Sequence, residues 1–275
     1  MSTTQTPIRY PGGKTRIYPH VHNIMAQAGQ LGKPYAEPFA GGAGIAIKLL
    51  LAGEVPHIAI NDADRAVCAM WNAIVNHADE LCEFIATVPL DIGTWQKHRG
   101  VYVGGGASLV ELGKSAFYLN RTNISGILRG GPAGGREQRG RYKLGQRFNR
   151  ETLQRKIHAI AARSADITLT NLDAVDFIDQ RLQDPEAFAF FDPPYVEKGP
   201  TLYRQAFDRE AHGRLAVSMA RCRSRWIMTY DASPLVDELY AGYQIVDLVI
   251  THTANVKAAR RERLILGPDV LRPAS

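Results

Sequence analysis

Several features are scarce in this chain, and each absence narrows what it can be. It has only three cysteines among 275 residues, in no metal-ligand spacing, which argues against a zinc module or a disulfide-rich scaffold. No stretch approaches about 18 consecutive apolar residues and no apolar leader opens the chain, so we expect neither a membrane span nor a signal peptide. No internal repeat indicates a solenoid. We therefore expect a cytoplasmic protein with reduced thiols.

The composition is that of a globular enzyme or binding protein. Hydrophobic residues make up 45% of the chain and charged residues 22%, so a packed core is expected. The length fits one large α/β domain with an insertion, or two smaller domains.

Strand and helix patterns alternate at both ends of the chain. Residues 34–39 read as a strand, 40–44 as a glycine turn, 45–52 as a helix and 57–60 as a strand, which opens a doubly wound fold. Alternation resumes at residue 167, whereas the intervening part looks mostly helical. We therefore predict an α/β catalytic domain, 1–67 and 161–275, split by a helical insertion, 68–160.

The most informative motif is Asp192-Pro193-Pro194-Tyr195, which follows the apolar run 188–191. This pattern predicts a buried strand that ends in a rigid turn. The turn fixes a carboxylate, a backbone carbonyl and an aromatic ring at the carboxyl edge of the sheet, where open α/β folds bind ligands.

A second group of residues surrounds the glycine turn. Gly41, Gly42 and Gly44 allow close approach to the backbone at a helix N-terminus, but they do not form the fingerprint of a dinucleotide site. Glu37 precedes this turn. Asp62 follows the next strand, where an acid can accept hydrogen bonds from ribose hydroxyls or cap the following helix.

Positive charge is concentrated in residues 121–156. This segment holds eight arginines, two lysines and two glutamates, a net charge of +8, although the whole chain carries only +6. Glycines alternate with the arginines, and flexible backbone with guanidinium groups suits phosphates and guanine edges. The segment predicts a nucleic-acid contact, with a solvated basic loop as the alternative.

Together these motifs resemble those of Dam-type (D12 class) DNA adenine-N6 methyltransferases whose cofactor motif precedes the catalytic motif. The resemblance covers nearly the whole chain and is carried by Tyr10-Pro11-Gly12-Gly13-Lys14, Glu37 to Gly44, Asn61-Asp62, Asp192 to Tyr195, and Tyr118-Leu119-Asn120-Arg121 followed by Gly126. One departure lies at Asp173-Ala174, where the family usually has an Asp-Phe pair.

The resemblance implies a Rossmann-like methyltransferase sheet with an inserted, mostly helical target-recognition domain that carries a basic loop or hairpin. It implies S-adenosyl-L-methionine (AdoMet) as cofactor, double-stranded DNA as partner and no metal. The implied catalytic residues are Asp192, Pro193, Pro194 and Tyr195. The implied cofactor ligands are Tyr10, Gly13, Lys14, Glu37, Phe39, Ala40, Gly41, Gly42, Asp62, Asp173 and Asp192. The candidate DNA contacts are Asn120, Arg121, Arg129, Arg136, Arg139, Arg141, Lys143 and Arg147.

The same resemblance implies a mechanism. A base-flipped adenine stacks on Tyr195, and its N6 hydrogens are bound by the Asp192 carboxylate and the Pro193 carbonyl, close to the AdoMet methyl group. Alternatives are an N4-cytosine methyltransferase, an RNA adenine methyltransferase and a catalytically silent DNA-binding protein. A protein-glutamine methyltransferase is disfavoured, because Asn is expected at position 192.

Overall fold

A computed structural model describes residues 4–196, 207–250, 260–268 and 270 of the chain. Packing divides the chain into two compact units. The helical unit comprises Met1–Thr15, Gly41–Ala52 and Ala63–Asn171, and the sheet unit comprises Arg16–Ala40, Gly53–Asp62 and Leu172–Ser275. The predicted boundaries of a recognition domain, 68 and 160, stay a prediction.

The described residues contain seven strands and ten α-helices. The strands are β1 (Tyr35–Glu37), β2 (Ile58–Asn61), β3 (Ile167–Thr170), β4 (Phe188–Phe191), β5 (Arg225–Asp231), β6 (Gln244–Ile250) and β7 (Arg260–Leu266). The helices are α1 (Tyr18–Gln27), α2 (Gly44–Leu51), α3 (Arg65–Asn76), α4 (Ala78–Thr87), α5 (Ile92–Gly104), α6 (Leu109–Thr122), α7 (Arg150–Ala161), α8 (Ala174–Arg181), α9 (Arg209–Met219) and α10 (Pro234–Leu239).

Six strands lie in the sheet unit, in the spatial order β2-β1-β4-β5-β7-β6. β1 pairs in parallel with β2 and with β4, and β4 pairs in parallel with β5. β7 is antiparallel to both β5 and β6. The four parallel strands therefore place their carboxyl ends at one edge of the sheet.

The core of the sheet unit explains why β4 is so apolar. All four of its residues are buried, as expected for a central parallel strand that is covered on both faces. Phe191 and Trp226 of neighbouring strands pack edge to face, with ring centroids 6.1 Å apart. Phe177 of α8 and Leu215 of α9 belong to the same buried cluster. This packing fixes the position where β4 ends.

The helices of the helical unit begin at clear sequence signals. Ser108 and Glu111 form a reciprocal capping box at the start of α6. Asp91 and Asn149 are simple caps of α5 and α7, each accepting one backbone N–H. Gly113 of α6 faces the carbonyl oxygen of Ala69 in α3, so these two helices approach too closely for a side chain at position 113.

Aromatic rings from α4, α5 and α6 form a cluster. His98 lies 4.6 Å from the ring centroid of Tyr118 and 5.3 Å from that of Phe84, and its Nδ1 is 2.9 Å from the hydroxyl oxygen of Ser115. Burial, with a smaller contribution from the charge of Lys97, lowers the pKa of His98 to about 4. The imidazole is therefore neutral at neutral pH.

The mixed α/β class and the alternating elements predicted from the sequence are confirmed. Cys68 and Cys82 are buried in α3 and α4. Of the loop and the hairpin expected in the insertion, the glycine-rich segment forms the loop, with turns and a single isolated bridge between Asn123 and Pro132. Its frequent glycines disfavour a regular ladder. Helix α1 was not anticipated.

Candidate active site

Acidic and amide side chains gather at the carboxyl edge of the sheet unit. Glu37 ends β1, Asn61 ends β2, Asp192 directly follows β4 and Asp231 ends β5. Because these strands are parallel neighbours, the four residues share one sheet edge. This is the edge where open α/β sheets bind their ligands.

The segment Asp192 to Tyr195 lies at the centre of that edge, directly after β4. The carboxylate of Asp192 is half-buried, and its Oδ1 accepts a hydrogen bond of 2.9 Å from the hydroxyl group of Thr229 on β5. The hydroxyl group of Tyr195 donates a hydrogen bond of 2.7 Å to Glu262 on β7. The predicted catalytic residues are therefore held by side chains that no sequence motif had indicated.

Glu37 and Phe39 are anchored beside β1. Glu37 is buried and accepts a hydrogen bond of 3.1 Å from the hydroxyl group of Tyr35. Burial, together with the charge of Glu37, holds the pKa of Tyr35 well above its ordinary value, so the phenol stays protonated. The ring of Phe39 packs edge to face on Phe207 with centroids 5.9 Å apart. Ala40 donates its backbone N–H to the carbonyl of Asn61 at 2.8 Å.

Asn61 ties two loops of the sheet unit together. Its side-chain NH₂ donates to the carbonyl oxygens of Pro38 and Leu172, each at 3.0 Å. Its side-chain oxygen accepts the backbone N–H of Leu172 at 2.9 Å. These bonds fix the segments next to Phe39 and Asp173, and the side chain is almost fully buried. Sequence reasoning had cited Asn61 only as the neighbour of Asp62.

A helix-capping alternative had been weighed for Asp62, one of the predicted cofactor ligands. For Asp62 that alternative is wrong, because Asp64 caps α3 by accepting the backbone N–H of Ala66 at 2.8 Å. Asp173 does cap a helix, since its Oδ1 accepts the backbone N–H of Val175 at 2.9 Å at the start of α8. A cofactor contact by Asp173 stays a prediction and relies on its other oxygen.

The glycine turn belongs to the helical unit and is covered by Tyr10. Gly41 has a φ of +46°, and a Cβ there would lie 2.7 Å from the ring of Tyr10. The indole N–H of Trp71 donates to the carbonyl oxygen of Gly41 at 2.9 Å. The close approach that requires glycine is therefore made by a side chain of this chain. Gly42 also faces Tyr10, whose carbonyl oxygen accepts the N–H of Gly13 at 3.0 Å, one residue before Lys14.

Asn120 and Arg121 are fastened to the backbone of the helical unit. The Asn120 side chain accepts the N–H of Arg9 at 2.9 Å and donates to the carbonyls of Arg9 and Gly126 at 2.6 and 3.0 Å. Arg121 donates to the carbonyl oxygens of Arg147 and Pro7. Burial, and then the charges of Arg9 and Arg147, lower the pKa of Arg121 to about 10. Both side chains stabilise the unit itself.

The other predicted DNA contacts are exposed. They are the side chains of Arg129, Arg136, Arg139, Arg141, Lys143 and Arg147. Arg139 forms an ion pair of 3.1 Å with Glu137 in which both side chains are largely in solvent, so it contributes little to stability. The guanidinium of Arg141 lies over the exposed ring of Tyr142, 5.6 Å from its centroid. We call residues 129–147 the basic loop.

The described residues contain neither a metal-binding cluster nor a helix suited to cross a membrane. No group of three or more His, Cys, Asp or Glu side chains is arranged to hold a metal ion in the part of the chain that the structure describes. Within those same residues, every helix is too short or too polar to cross a lipid bilayer.

Comparison with known proteins gives the chain a family. Residues 10–253 match the D12 class N6 adenine-specific DNA methyltransferases. The Type II methyltransferase M.CviBI of Paramecium bursaria Chlorella virus NC1A is 25% identical over 86% of this chain and 86% of its own length. The Type II methyltransferase M.MjaIII of Methanocaldococcus jannaschii is 24% identical over 93% and 94%, respectively. The Type II methyltransferase M1.LlaDCHI of Lactococcus lactis subsp. cremoris is 22% identical over 93% of this chain and 91% of its own length.

The family match spans both units and includes the sheet edge, the glycine turn and the basic loop. The mixed α/β fold is consistent with an AdoMet-dependent methyltransferase, and the family implies AdoMet as methyl donor and DNA as substrate. The chain belongs to the D12 class of N6 adenine-specific DNA methyltransferases.

Proposed function

We propose that Asp192 and the backbone carbonyl of Pro193 bind the N6 amine of an adenine flipped out of double-stranded DNA. The observation that carries this proposal is the placement of the Asp192 carboxylate at the carboxyl end of β4, held by the Thr229 hydroxyl group. A carboxylate held in this way is pre-organised to accept a hydrogen bond from a substrate amine.

The chemistry of adenine explains why two acceptors are needed. The lone pair of N6 is conjugated into the ring, so the amine is a weak nucleophile. Hydrogen bonds from its two hydrogens to Asp192 and Pro193 localise that lone pair and direct it away from the ring. AdoMet supplies an electrophilic methyl group on a sulfonium when it is bound. The ring of Tyr195 stacks on the flipped base, which offsets part of an unstacking cost of a few kcal/mol.

The acidic and aromatic side chains at the sheet edge suit the groups of AdoMet. Glu37 is a buried acid suited to an ammonium group, and Asp62 is an acid that does not cap the helix after it. The aromatic side chain of Phe39 suits the adenine ring, beside the backbone of Ala40. Asp173 is assigned to the adenine amine. We infer that these sheet-unit residues bind the cofactor.

The remaining cofactor ligands come from the helical unit and rest on the resemblance. They are Tyr10, Gly13, Lys14, Gly41 and Gly42. Their grouping is supported by the packing of Tyr10 against the glycine turn. In this proposal the turn serves the methionine end of AdoMet.

The basic loop is proposed to bind duplex DNA. Its six cationic side chains are exposed, and guanidinium groups can neutralise phosphates or read guanine. Asn120 and Arg121 do not share this exposure, so a DNA contact by either is a weaker part of the proposal. The relatives are Type II methyltransferases, which supports a restriction-modification setting.

The test is methyl transfer from labelled AdoMet to duplex DNA, followed by identification of the methylated nucleoside. We expect N6-methyladenine from the unaltered protein. Asp192→Ala should lower kcat on the order of a thousandfold, because a pre-organised group at the reacting amine is lost. Asp176→Ala, an exposed acid of α8, is the matched control and should retain full activity.

Two outcomes contradict the proposal. One is N4-methylcytosine as the product, which would support the alternative of an N4-cytosine methyltransferase. The other is an Asp192→Ala variant that methylates adenine as fast as the unaltered protein, which would remove the assigned role of that carboxylate.

A further inference from the structure

One face of the β5–β7 strand pair presents three polar side chains. Thr229 and Asp231 are two residues apart on β5, so they point to the same side of the sheet. Glu262 of β7 is the register partner of Asp231, and directly opposed residues of an antiparallel pair share a face. Thr229 and Glu262 are both buried.

All three side chains bind the segment that follows β4. Thr229 donates to Asp192, and Glu262 accepts the hydroxyl hydrogen of Tyr195. Asp231 accepts the backbone N–H of Val196 at 3.0 Å through its Oδ1. The contacts therefore reach the first residue of the tetrapeptide, its last residue and the residue that comes after it.

The two prolines make such support necessary. Pro193 and Pro194 have no N–H, so the backbone at these two positions cannot donate hydrogen bonds to a neighbouring strand. The segment must instead be held by bonds to its flanking residues. The side chains on β5 and β7 provide those bonds, and the packing of both strands into the sheet fixes them in turn.

We propose that Thr229 and Glu262 are positioning residues for methyl transfer. Thr229 orients the Asp192 carboxylate by occupying Oδ1, so that Oδ2 is directed to the substrate amine. Glu262 holds the ring of Tyr195 through its hydroxyl group and so sets the plane on which the flipped base stacks. The inference rests on the proposed function of Asp192 and Tyr195.

The first test compares Thr229→Val with Thr229→Ser. Valine keeps the shape but loses the hydroxyl group, and serine keeps the hydroxyl group. We expect Thr229→Val to lower kcat about tenfold to a hundredfold, since a small displacement of a reacting group costs this much. The KM values for DNA and AdoMet should change less than about twofold. Thr229→Ser should recover most of the rate. Thr87→Val, an exposed threonine of α4, is the control.

The second test is a double-mutant cycle between Tyr195→Phe and Glu262→Leu. If Glu262 acts through the Tyr195 hydroxyl group, the double variant should be no slower than the slower single variant, within about twofold. Glu262→Gln keeps an oxygen acceptor and should recover part of the rate. Glu238→Gln, in an exposed ion pair with Arg209, should leave kcat unchanged.

The outcomes separate this inference from the proposed function. No methyl transfer by the unaltered protein would contradict the proposed function. An active unaltered protein with an equally active Thr229→Val variant, or with Thr229→Ser as slow as Thr229→Val, would overturn the positioning role of Thr229. Fully multiplicative effects in the cycle would overturn that of Glu262. The urea unfolding midpoint shows whether Thr229→Val folds. If it does not, the comparison of Thr229→Ala with Thr229→Ser decides the role of Thr229. The double-mutant cycle decides the role of Glu262 in either case.

Discussion

The two units hold their charged groups in opposite ways. In the sheet unit, the Asp192 carboxylate accepts a hydrogen bond from a neutral hydroxyl group and directly follows β4, a strand buried in the core. In the helical unit, the cations of the basic loop are exposed, whereas Arg121, outside that loop, is half-buried and bonded to backbone carbonyls. Methyl transfer requires the reacting groups to be held in a fixed geometry, whereas binding to phosphates tolerates side chains that adopt several conformations.

The largest expected change in stability comes from removing the buried Asn120 side chain of the helical unit. Asn120→Ala removes three hydrogen bonds, so the part-buried N–H and carbonyl of Arg9 and the carbonyl of Gly126 lose this partner. An unpaired buried polar group costs about 1 to 3 kcal/mol, so we expect a loss of about 3 kcal/mol in the free energy of unfolding. Urea titration measures it. Asn76→Ala, at an exposed position of α3, should change the same quantity by less than about 0.5 kcal/mol.

A smaller effect should appear when the pH is lowered. His98 has a pKa of about 4 in the folded chain and an ordinary pKa of about 6.5 when unfolded. Between these values the unfolded chain binds a proton that the folded chain does not, so stability is lost as the pH falls from 6.5 towards 4.

The His98 contribution can be isolated by substitution. We expect it to amount to about 2 kcal/mol at pH 5, and His98→Gln should remove this part of the pH dependence. Urea titrations at pH 7 and pH 5 measure it. The exposed His20 provides the control variant, His20→Gln. Equal pH dependence in His98→Gln and the unaltered protein would contradict the buried neutral state.

The smallest effects are expected in the basic loop, and they should concern DNA alone. Arg139→Ala and Arg141→Ala should each weaken duplex binding several-fold and lower the slope of log affinity against log salt by about 1. Their unfolding midpoints should not change, because both side chains are exposed. Arg181→Ala, an exposed arginine of α8 in the sheet unit, is the matched control. If the slope of log affinity against log salt is unchanged in both loop variants, the basic loop does not bind the DNA phosphates.

Much of the fold follows from local sequence patterns. The run Phe188–Phe191 predicts β4 correctly because a central parallel strand is apolar at every position. The start of α7 follows from its cap, Asn149. The position of Asp192 at a sheet edge also follows, since it depends only on where one strand ends.

The supports of the site could not be predicted in the same way. Thr229 and Glu262 reach the tetrapeptide only because β5 and β7 pair in one register, and pairing between distant segments leaves no local signal. The same holds for Asn61, which bonds to a residue 111 positions away. Asn120 was assigned to DNA from its place in a motif, whereas its burial depends on the packing of Arg9.

The single amide of Asn61 has a consequence for redesign of this enzyme. Because it bonds to the loop after β1 and to the loop before α8, neither loop can be exchanged for one from a relative without disturbing the other. Loop grafts aimed at altered cofactor preference must therefore transfer both segments together with this asparagine. The two loops therefore behave as one structural module, although more than a hundred residues of sequence separate them.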